Sequence, residues 1–273
     1  MAKKILRYGY FWPDINLDSA IYTKKCDRCQ RFAKIPKAPS TELTQMVSAW
    51  SFAFWGNDLI GALPTAKSNF KYAIVVVDYF TKWAEEEPLA TITSKKVISF
   101  VLKNIICRFG VPQKIITDNG TQNESDEFKS FCTRYKILKS FAAVAHPQAN
   151  GQVEAVNKII KSTIKKRLEK AKGSWVDKLP LAVWAYRTTQ KTATGHTPFS
   201  LAFGSEVMIP VELEVPTHRR IHFNQAENEK LQLEALDLLE ERRTEAELRV
   251  AAHQRLLDTL IRRSNKEPLE SEI

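Results

Sequence analysis

The sequence lacks a long hydrophobic run and has few cysteines. No stretch approaches the roughly 18 consecutive apolar residues of a membrane-spanning helix. The N-terminus, Met1-Ala2-Lys3-Lys4, is followed by no apolar run of the kind found in secretory signals. Four cysteines among 273 residues are too few for a disulfide framework. We therefore expect a chain of a reducing compartment with no membrane partner.

The positive and negative charges are distributed unevenly along the chain. The net charge is +10, but residues 225–273 contain 12 acidic and 8 basic residues, so residues 1–224 carry about +14. A basic body of this kind favours a polyanionic partner such as nucleic acid, although an ordinary basic surface has the same composition. The length suffices for one large domain or two smaller ones.

The first 35 residues are basic and aromatic and contain the pair Cys26 and Cys29. Two cysteines at this spacing supply half of a tetrahedral zinc site. The other half is missing, because every histidine lies far downstream and Cys107 and Cys132 fall in segments expected to be core helices. Two reduced thiols at a helix end are therefore the simpler interpretation, and we do not expect this chain to retain zinc.

Strand and helix patterns alternate after a linker-like segment at 36–50. Continuous apolar runs such as residues 73–77 are typical of strands buried on both faces. Ser94 is the expected N-cap of the first helix, and Pro180 is expected in the first turn of the last. The predicted strands are Phe54–Leu63, Phe70–Phe80, Lys82–Glu87, Gln113–Thr117 and Ile137–Ala142. The predicted helices are Ser94–Arg108, Asp126–Tyr135, Asn150–Ala171 and Leu179–Thr189. This order predicts an α/β fold with a mixed sheet covered by helices.

Residues 224–263 contain no proline or glycine and are rich in Glu, Arg and Leu, which predicts one long helix or two. Arg243 and His253 interrupt the apolar stripe, so a docked or solvent-facing helix is favoured over a regular coiled coil. The stripe consists of Leu236, Leu239, Ala246, Val250, Leu257 and Leu260.

Three acidic residues occupy positions where sites form in α/β proteins. Asp58 lies on the first predicted strand, Asp118 closes the fourth, and Glu154 lies a turn into the long predicted helix. Two such charges about 4 Å apart repel by about 4 kcal/mol at an effective dielectric near 20. A hard cation such as Mg²⁺ or Mn²⁺ would neutralise them. The three acids therefore predict a divalent-metal site suited to phosphodiester chemistry.

Each acid also has a simpler explanation. The sequence after Asp118 is a good tight turn, Asp58 fits a charged edge strand, and Glu154 complements a helix dipole. A row of lysines shares the helical face of Glu154 and is expected to hold phosphates, unless it is only a solvated face. The row consists of Lys158, Lys161 and Lys165. Nothing in the sequence is suited to recognising base edges, so sequence preference should be weak.

The spacing of these motifs resembles a known family. Thirty-five residues separate Asp118 from Glu154, with T-D-N-G-T-Q around the first and H-P-Q-A-N-G-Q-V-E around the second. The pattern resembles the integrase core of retroviruses and long-terminal-repeat retrotransposons over residues 5–265. The stretches F-K-Y-A-I-V-V-V-D-Y-F-T-K-W, G-Q-V-E-A-V-N-K and L-P-L-A-V-W-A-Y-R-T-T are most similar to gypsy-type elements of plants.

This resemblance implies a ribonuclease H-like, five-stranded core that integrates DNA. Asp58, Asp118 and Glu154 would hold two Mg²⁺ or Mn²⁺ ions for cleavage and strand transfer, and Lys158 and Lys161 match positions that contact DNA in relatives. DNA partners, a homo-oligomer and a nuclear location are expected with it.

The resemblance also predicts the domain limits. Residues 1–35 would be a remnant of a zinc-binding domain with Cys26 and Cys29 as vestigial ligands. Residues 36–50 would be a linker, 51–216 the catalytic core and 217–273 a helical extension. The family's His pair and C-terminal DNA-binding domain are not in the sequence, so we expect a core cut from a longer polyprotein and a rearranged genomic copy.

One residue departs from the family pattern. Asn123 stands where relatives carry an apolar residue, commonly Phe, and would loosen packing beside Asp118 at a cost of roughly 1–3 kcal/mol if buried without a partner.

Two other functions also fit the sequence. One is a catalytically inactive nucleic-acid-binding relic, and the other is an interaction protein that works through the helix at 224–263.

Overall fold

The computed structural model describes residues 2–27, 48, 50–117, 120–141, 174–209, 214–215, 217 and 221–264. The chain forms two compact units. One contains residues 1–38 and 188–247, and the other contains residues 39–187 and 248–273. The domain limits proposed above stay predictions.

A mixed five-stranded sheet forms the centre of the second unit, in the order β3-β2-β1-β4-β5. Strand β1 pairs antiparallel with β2 and parallel with β4, and β4 pairs parallel with β5. The strands are β1 Phe54–Ile60, β2 Tyr72–Asp78, β3 Ala84–Leu89, β4 Lys114–Thr117 and β5 Leu138–Phe141. All five predicted strands are confirmed, with ends that differ by a few residues.

The second unit also contains helices, which follow and separate these strands in the sequence. Helix α3 (Ser94–Phe100) continues through a π-helical turn, Val101–Ile106, to Cys107–Phe109. It is followed by α4 Thr121–Glu124, α5 Asp126–Arg134 and α6 Trp175–Arg187. The apolar side chains predicted to face inward on α3 and α5 are buried; they are Val97, Phe100, Val101, Ile105, Phe128, Phe131 and Cys132. The predicted helix Asn150–Ala171 lies outside the described residues.

Two helix predictions were wrong in detail. Thr93, not Ser94, caps α3, because its hydroxyl accepts from the Lys96 N–H at 3.4 Å. Helix α6 begins at Trp175, four residues before the predicted start, so Pro180 lies inside the helix rather than in its first turn. Cys107 lies in a helical segment that packs in the core, as predicted, although Cys107 itself is exposed.

The central strand β2 is buried on both faces. Its residues Ala73, Val75 and Val77 pack against α6 in one apolar cluster with Trp175, Leu179, Ala182 and Val183. Trp175 also donates its indole N–H to the Pro64 carbonyl at 2.8 Å. This anchor explains why α6 extends back to position 175.

The turn after β2 is held by a buried carboxylate. Asp78 is fully buried and accepts hydrogen bonds from the N–H and hydroxyl of Thr81, at 2.7 and 2.6 Å, and from the Phe52 N–H at 3.1 Å. Burial raises the pKa of Asp78 to about 6, against the opposing effect of these hydrogen bonds. The turn fixes the next residue, Tyr79, over strand β1.

The other unit contains helices from both ends of the sequence. These are α1 Ala2–Arg7, α2 Ile15–Lys25, α7 Pro198–Phe203, α8 Gln225–Asp237 and the first part of α9 Leu239–Ser264, up to Glu247. Asn224 caps α8 by accepting from the Glu227 N–H at 3.2 Å, and the segment predicted as one helix or two is interrupted at Leu238. Leu236, predicted to lie on the packing stripe, is 55% exposed, whereas Ala246 is buried.

Helix α9 packs against the C-terminal end of α7 through two arginines. Arg243 donates to the carbonyls of Leu201 and Ala202 at 3.1 and 3.3 Å, and Arg242 donates to the carbonyl of Gly204. These guanidinium groups satisfy carbonyls that a helix end leaves without intrahelical partners. The docked-helix prediction therefore holds for this part of α9. None of the helices in the described part of the chain is long and apolar enough to cross a membrane.

Candidate active site

Asp58, the first of the three predicted acids, lies near the C-terminal end of β1. It is half-buried and faces Val75 of β2 across the antiparallel ladder. Side chains alternate along a strand, so Asp58 shares one face of β1 with Phe54 and Gly56, and Asn57 projects to the opposite face. The two faces of β1 have different surroundings.

The face that carries Asp58 is covered by a buried tyrosine. Tyr79 packs with Ile116 and Phe54, and a side-chain carbon at Gly56 would lie only 2.4 Å from the Tyr79 hydroxyl oxygen. Position 56 must therefore be glycine for the phenol to occupy this place beside Asp58. Burial, with the negative charge of Asp58 as a second cause, raises the pKa of the Tyr79 phenol.

The Tyr79 hydroxyl stays protonated at neutral pH and is a potential hydrogen-bond donor at the site. Its oxygen is buried and has no hydrogen-bond partner within the described part of the chain. A buried donor without a partner is unusual in a folded protein, and a catalytic role is one of the explanations for it. The sequence analysis missed Tyr79, and its only signal was an aromatic residue directly after the buried run of β2.

The opposite face carries a buried polar group. Asn57, Thr117 and Asn123 are 3%, 0% and 1% exposed, and the Asn57 amide nitrogen donates to the Asn123 side-chain oxygen at 3.4 Å. Gly56 faces Ile116 in the parallel register of β1 and β4, so Asn57 and Thr117 are neighbours one step further along each strand. Asn123 is thus buried as expected but has a partner, and the predicted penalty for an unpaired amide does not apply.

Helix α4, which follows the predicted acid Asp118 by three residues, is connected to three other elements. Its Gln122 carbonyl accepts from the hydroxyls of Ser94 and Ser125 at 3.0 and 3.2 Å. Glu124 forms an ion pair with Lys139 of β5, which lowers the pKa of this carboxyl. Together with Asn123, these contacts connect α4 to β1, β5 and the start of α3.

Most of the predicted site residues lie outside the described part of the chain. They are Asp118, Glu154, Lys158, Lys161, Lys165 and Cys29. Cys26 is half-buried at the C-terminal end of α2, where its N–H donates to the Tyr22 carbonyl, which confirms a thiol at a helix end. Within residues 2–27, 50–117, 120–141 and the later described ranges, no group of three or more His, Cys, Asp and Glu side chains is placed to hold a metal.

The described part of the site nevertheless suits a hard cation. The Asp58 carboxylate is the type of oxygen ligand that Mg²⁺ and Mn²⁺ select. Burial is the main cause of the raised pKa of the neighbouring Tyr79 phenol, and the negative charge of Asp58 adds to it. A cation bound at Asp58 would offset that charge. The remaining ligands would have to come from residues beyond those described.

The sequence of the sheet region is similar to a known family. Residues 51–147 match the integrase core domain family. The chain is 36% identical over 140 residues to the Gag-Pol polyprotein of Avian reticuloendotheliosis virus, covering 51% of this chain and 12% of that polyprotein. It is 29% identical over 219 residues to the Transposon Tf2-3 polyprotein of Schizosaccharomyces pombe, covering 78% of this chain and 16% of that polyprotein. The chain thus spans less than a fifth of the length of these relatives.

Structure comparison agrees on the fold. The simian T-cell lymphotropic virus intasome, in complex with PP2A regulatory subunit B56 gamma, contains a chain that aligns with a TM-score of 0.51 and 22% identity. The alignment covers 77% of this chain and 76% of that one. This likeness confirms the predicted ribonuclease H-like architecture.

Proposed function

We propose that this chain, which carries an integrase core domain at residues 51–147 and is homologous to the Gag-Pol and Tf2 polyproteins, is a polynucleotidyl transferase that integrates DNA. The substrate class is double-stranded DNA with a free 3′ end and a target duplex. The reaction is phosphodiester cleavage followed by strand transfer. Asp58, Asp118 and Glu154 are the proposed catalytic residues and metal ligands.

The observation that carries this proposal is the parallel pairing of β1 and β4. Gly56 faces Ile116, and in the sequence Asp58 and Asp118 each follow these paired residues by two positions. Carboxyl ends of neighbouring parallel strands share one edge of a sheet, where α/β proteins form their sites. The register therefore supports a shared role for these two acids, and Glu154 joins them by its motif.

The residues have distinct roles in the proposed reaction. The three carboxylates would hold two Mg²⁺ or Mn²⁺ ions, which when bound supply activation of the attacking oxygen and stabilisation of the leaving oxygen. Tyr79 keeps its hydroxyl proton and offers a potential hydrogen-bond donor beside Asp58. Gly56 allows the ring to approach the strand closely enough to do so.

The test is metal-dependent turnover on a branched oligonucleotide that mimics the integration product. The wild-type chain should reseal and release the branched strand with Mg²⁺ or Mn²⁺. Asp58→Asn, Asp118→Asn and Glu154→Gln should each reduce turnover at least about 100-fold, because each removes a charge that positions metal. Asp237→Asn, at an exposed position on α8, is the matched control and should keep full turnover.

An equal rate in the wild-type chain and Asp118→Asn would contradict the enzymatic proposal and leave the inactive, nucleic-acid-binding alternative. The charge of about +14 on residues 1–224 favours DNA binding in either case. Binding should weaken steeply with salt, and the triple change of Lys158, Lys161 and Lys165 to Glu should remove most of it. Binding that is insensitive to salt would exclude both functions.

The finer assignments belong to the same proposal. The residues of the quoted motifs support an origin in a gypsy-type element of plants. The similarity to integrases supports a nuclear location and a homo-oligomer as the active form. Two of the quoted motifs, at 70–83 and 179–189, overlap β2 and α6. Sedimentation at several protein concentrations tests the oligomer directly.

A further inference from the structure

We infer that Asn57 and Asn123 act as a matched polar pair that positions the segment following Asp118 against the strand that carries Asp58. The inference rests on the proposed function for its catalytic meaning. The pairing of the two side chains can be tested without it.

The position of Asn57 makes it a structural neighbour of the site rather than a ligand. It precedes Asp58 on β1 and projects to the opposite face of the sheet. Its side chain is 3% exposed, so its amide has no access to water as an alternative partner. The hydrogen bond to Asn123 therefore joins two elements that are 66 residues apart in sequence.

Asn123 transmits this contact to helix α4. The helix is four residues long, too short to be stable by itself, and it depends on tertiary contacts for its place. Ser94, Ser125 and Lys139 hold its outer residues, Gln122 and Glu124, and Asn123 holds its inner face to β1. The Asn123 N–H donates to the Gly120 carbonyl at 2.9 Å, which links the helix to the residue two places after Asp118.

The energetics of a buried amide pair make the two positions interdependent. Removing one partner leaves a buried amide without its hydrogen bond, whereas replacing both with apolar groups of similar shape removes the penalty as well as the bond. Leucine has the same branching of heavy atoms as asparagine, with methyl groups in place of the amide oxygen and nitrogen. Asn57→Leu and Asn123→Leu should therefore each be harmful alone and largely compensate each other when combined.

The first experiment is a double-mutant cycle in urea on the full-length chain. Each single variant should unfold at a urea concentration lower by roughly 0.5 to 1 M, and the double variant should return to within about 0.3 M of the wild type. Asn16→Leu, at an exposed position on α2, is the matched control and should not shift the midpoint. Additive losses in the double variant would overturn the pairing.

The second experiment separates positioning from stability. The Mn²⁺ concentration that gives half-maximal turnover on branched DNA is measured in buffer without urea, where all variants are folded by circular dichroism. The single variants should require about 10-fold more Mn²⁺, as expected when a residue that orients ligands is lost, while DNA affinity stays within about twofold. The double variant should return to within about threefold of the wild-type requirement.

Single variants that lose stability but keep the wild-type Mn²⁺ requirement would overturn the positioning role and leave a purely structural pair. Absence of turnover in the wild-type chain would instead contradict the proposed function, and the positioning role with it. The urea cycle would still decide whether Asn57 and Asn123 act together, so the two failures are distinguishable.

Discussion

Strand β2 buries six of its seven residues, whereas helix α8 buries none. The strand is specified by an apolar run that has to be covered on both faces. The helix is specified by its cap at Asn224, by the absence of glycine and proline and by pairs such as Lys230 with Glu234 at 3.8 Å. Strand β2 is therefore stabilised by the residues that pack against it, and helix α8 mainly by local interactions.

This difference determines where function is expected. A candidate site needs side chains that are fixed in place, and the sheet supplies them through buried neighbours such as Tyr79 and Asn57. Helix α8 presents exposed leucines, and single substitutions at exposed positions change stability little. The comparison predicts large effects in the sheet and small ones in α8.

The largest effect is expected at Trp55, which is fully buried and packs with Phe52 and Phe109 at ring distances of 6.0 and 5.4 Å. Trp55→Ala should lower the free energy of unfolding by about 3–5 kcal/mol because it leaves a cavity. Trp50→Ala, at a tryptophan that is 56% exposed, should change it by less than about 1 kcal/mol. Urea unfolding monitored by circular dichroism measures both. Equal losses would show that burial in the sheet does not determine stability.

The next effect is on pH dependence and arises at Asp78. The pKa of this buried carboxyl is about 6 in the folded chain against an ordinary value of 3.8. Between these values the folded state binds the extra proton, so the stability of the wild-type chain relative to Asp78→Asn should fall as pH rises from about 4 to 7. A shift of this size corresponds to about 3 kcal/mol.

Urea unfolding of the wild-type chain and Asp78→Asn at several pH values measures this difference. Asp237→Asn, at the exposed end of α8, is the matched control for the loss of a surface carboxylate. A wild-type advantage that grows with pH would have the wrong sign and would contradict the burial argument.

A smaller effect, a gain of stability instead of a loss, is expected when the Tyr79 hydroxyl is removed. Its buried hydroxyl has no hydrogen-bond partner in the described ranges, so Tyr79→Phe should raise the free energy of unfolding by about 1 kcal/mol. Tyr22→Phe, at a tyrosine that is 59% exposed, should have no measurable effect. Thermal unfolding followed by circular dichroism is sufficient. A clear loss of stability in Tyr79→Phe would mean that the hydroxyl is bonded in the folded chain.

The smallest effect is expected in α8. Leu233 is 64% exposed, so Leu233→Ala should change stability by less than about 0.5 kcal/mol, whereas Leu179→Ala in the core of α6 should cost about 2–5 kcal/mol. Urea unfolding of both variants is measured at two protein concentrations, and sedimentation gives their association state. A concentration-dependent loss in Leu233→Ala would assign α8 to self-association and support the interaction-protein hypothesis.

The sequence was most informative where a pattern repeats over several residues. The run at 73–77 and the helical spacing from Val97 to Ile105 predicted buried elements correctly. Element ends were less predictable, because they depend on partners distant in sequence. Strand β1 ends at Ile60, which pairs with Ala73 near the start of β2, and α6 starts at Trp175 because of Pro64.

The candidate site shows the same limit. The family resemblance predicted Asp58 as a site residue and marked Asn123 as a departure from the family pattern. No local signal connects Asn123 to Asn57, which is 66 residues away, or places Tyr79 over Gly56. These contacts arise from sheet register and from burial, which the local sequence pattern does not specify.

Direct binding of Mn²⁺ tests the central claim, that Asp58, Asp118 and Glu154 form one metal site. Titration of the purified chain, followed by electron paramagnetic resonance of the free ion, gives the affinity without DNA or turnover. We predict that the wild-type chain and Asp237→Asn bind Mn²⁺ alike, and that Asp58→Asn, Asp118→Asn and Glu154→Gln each weaken binding at least about 10-fold. Wild-type affinity in any one of these three variants would contradict the shared site.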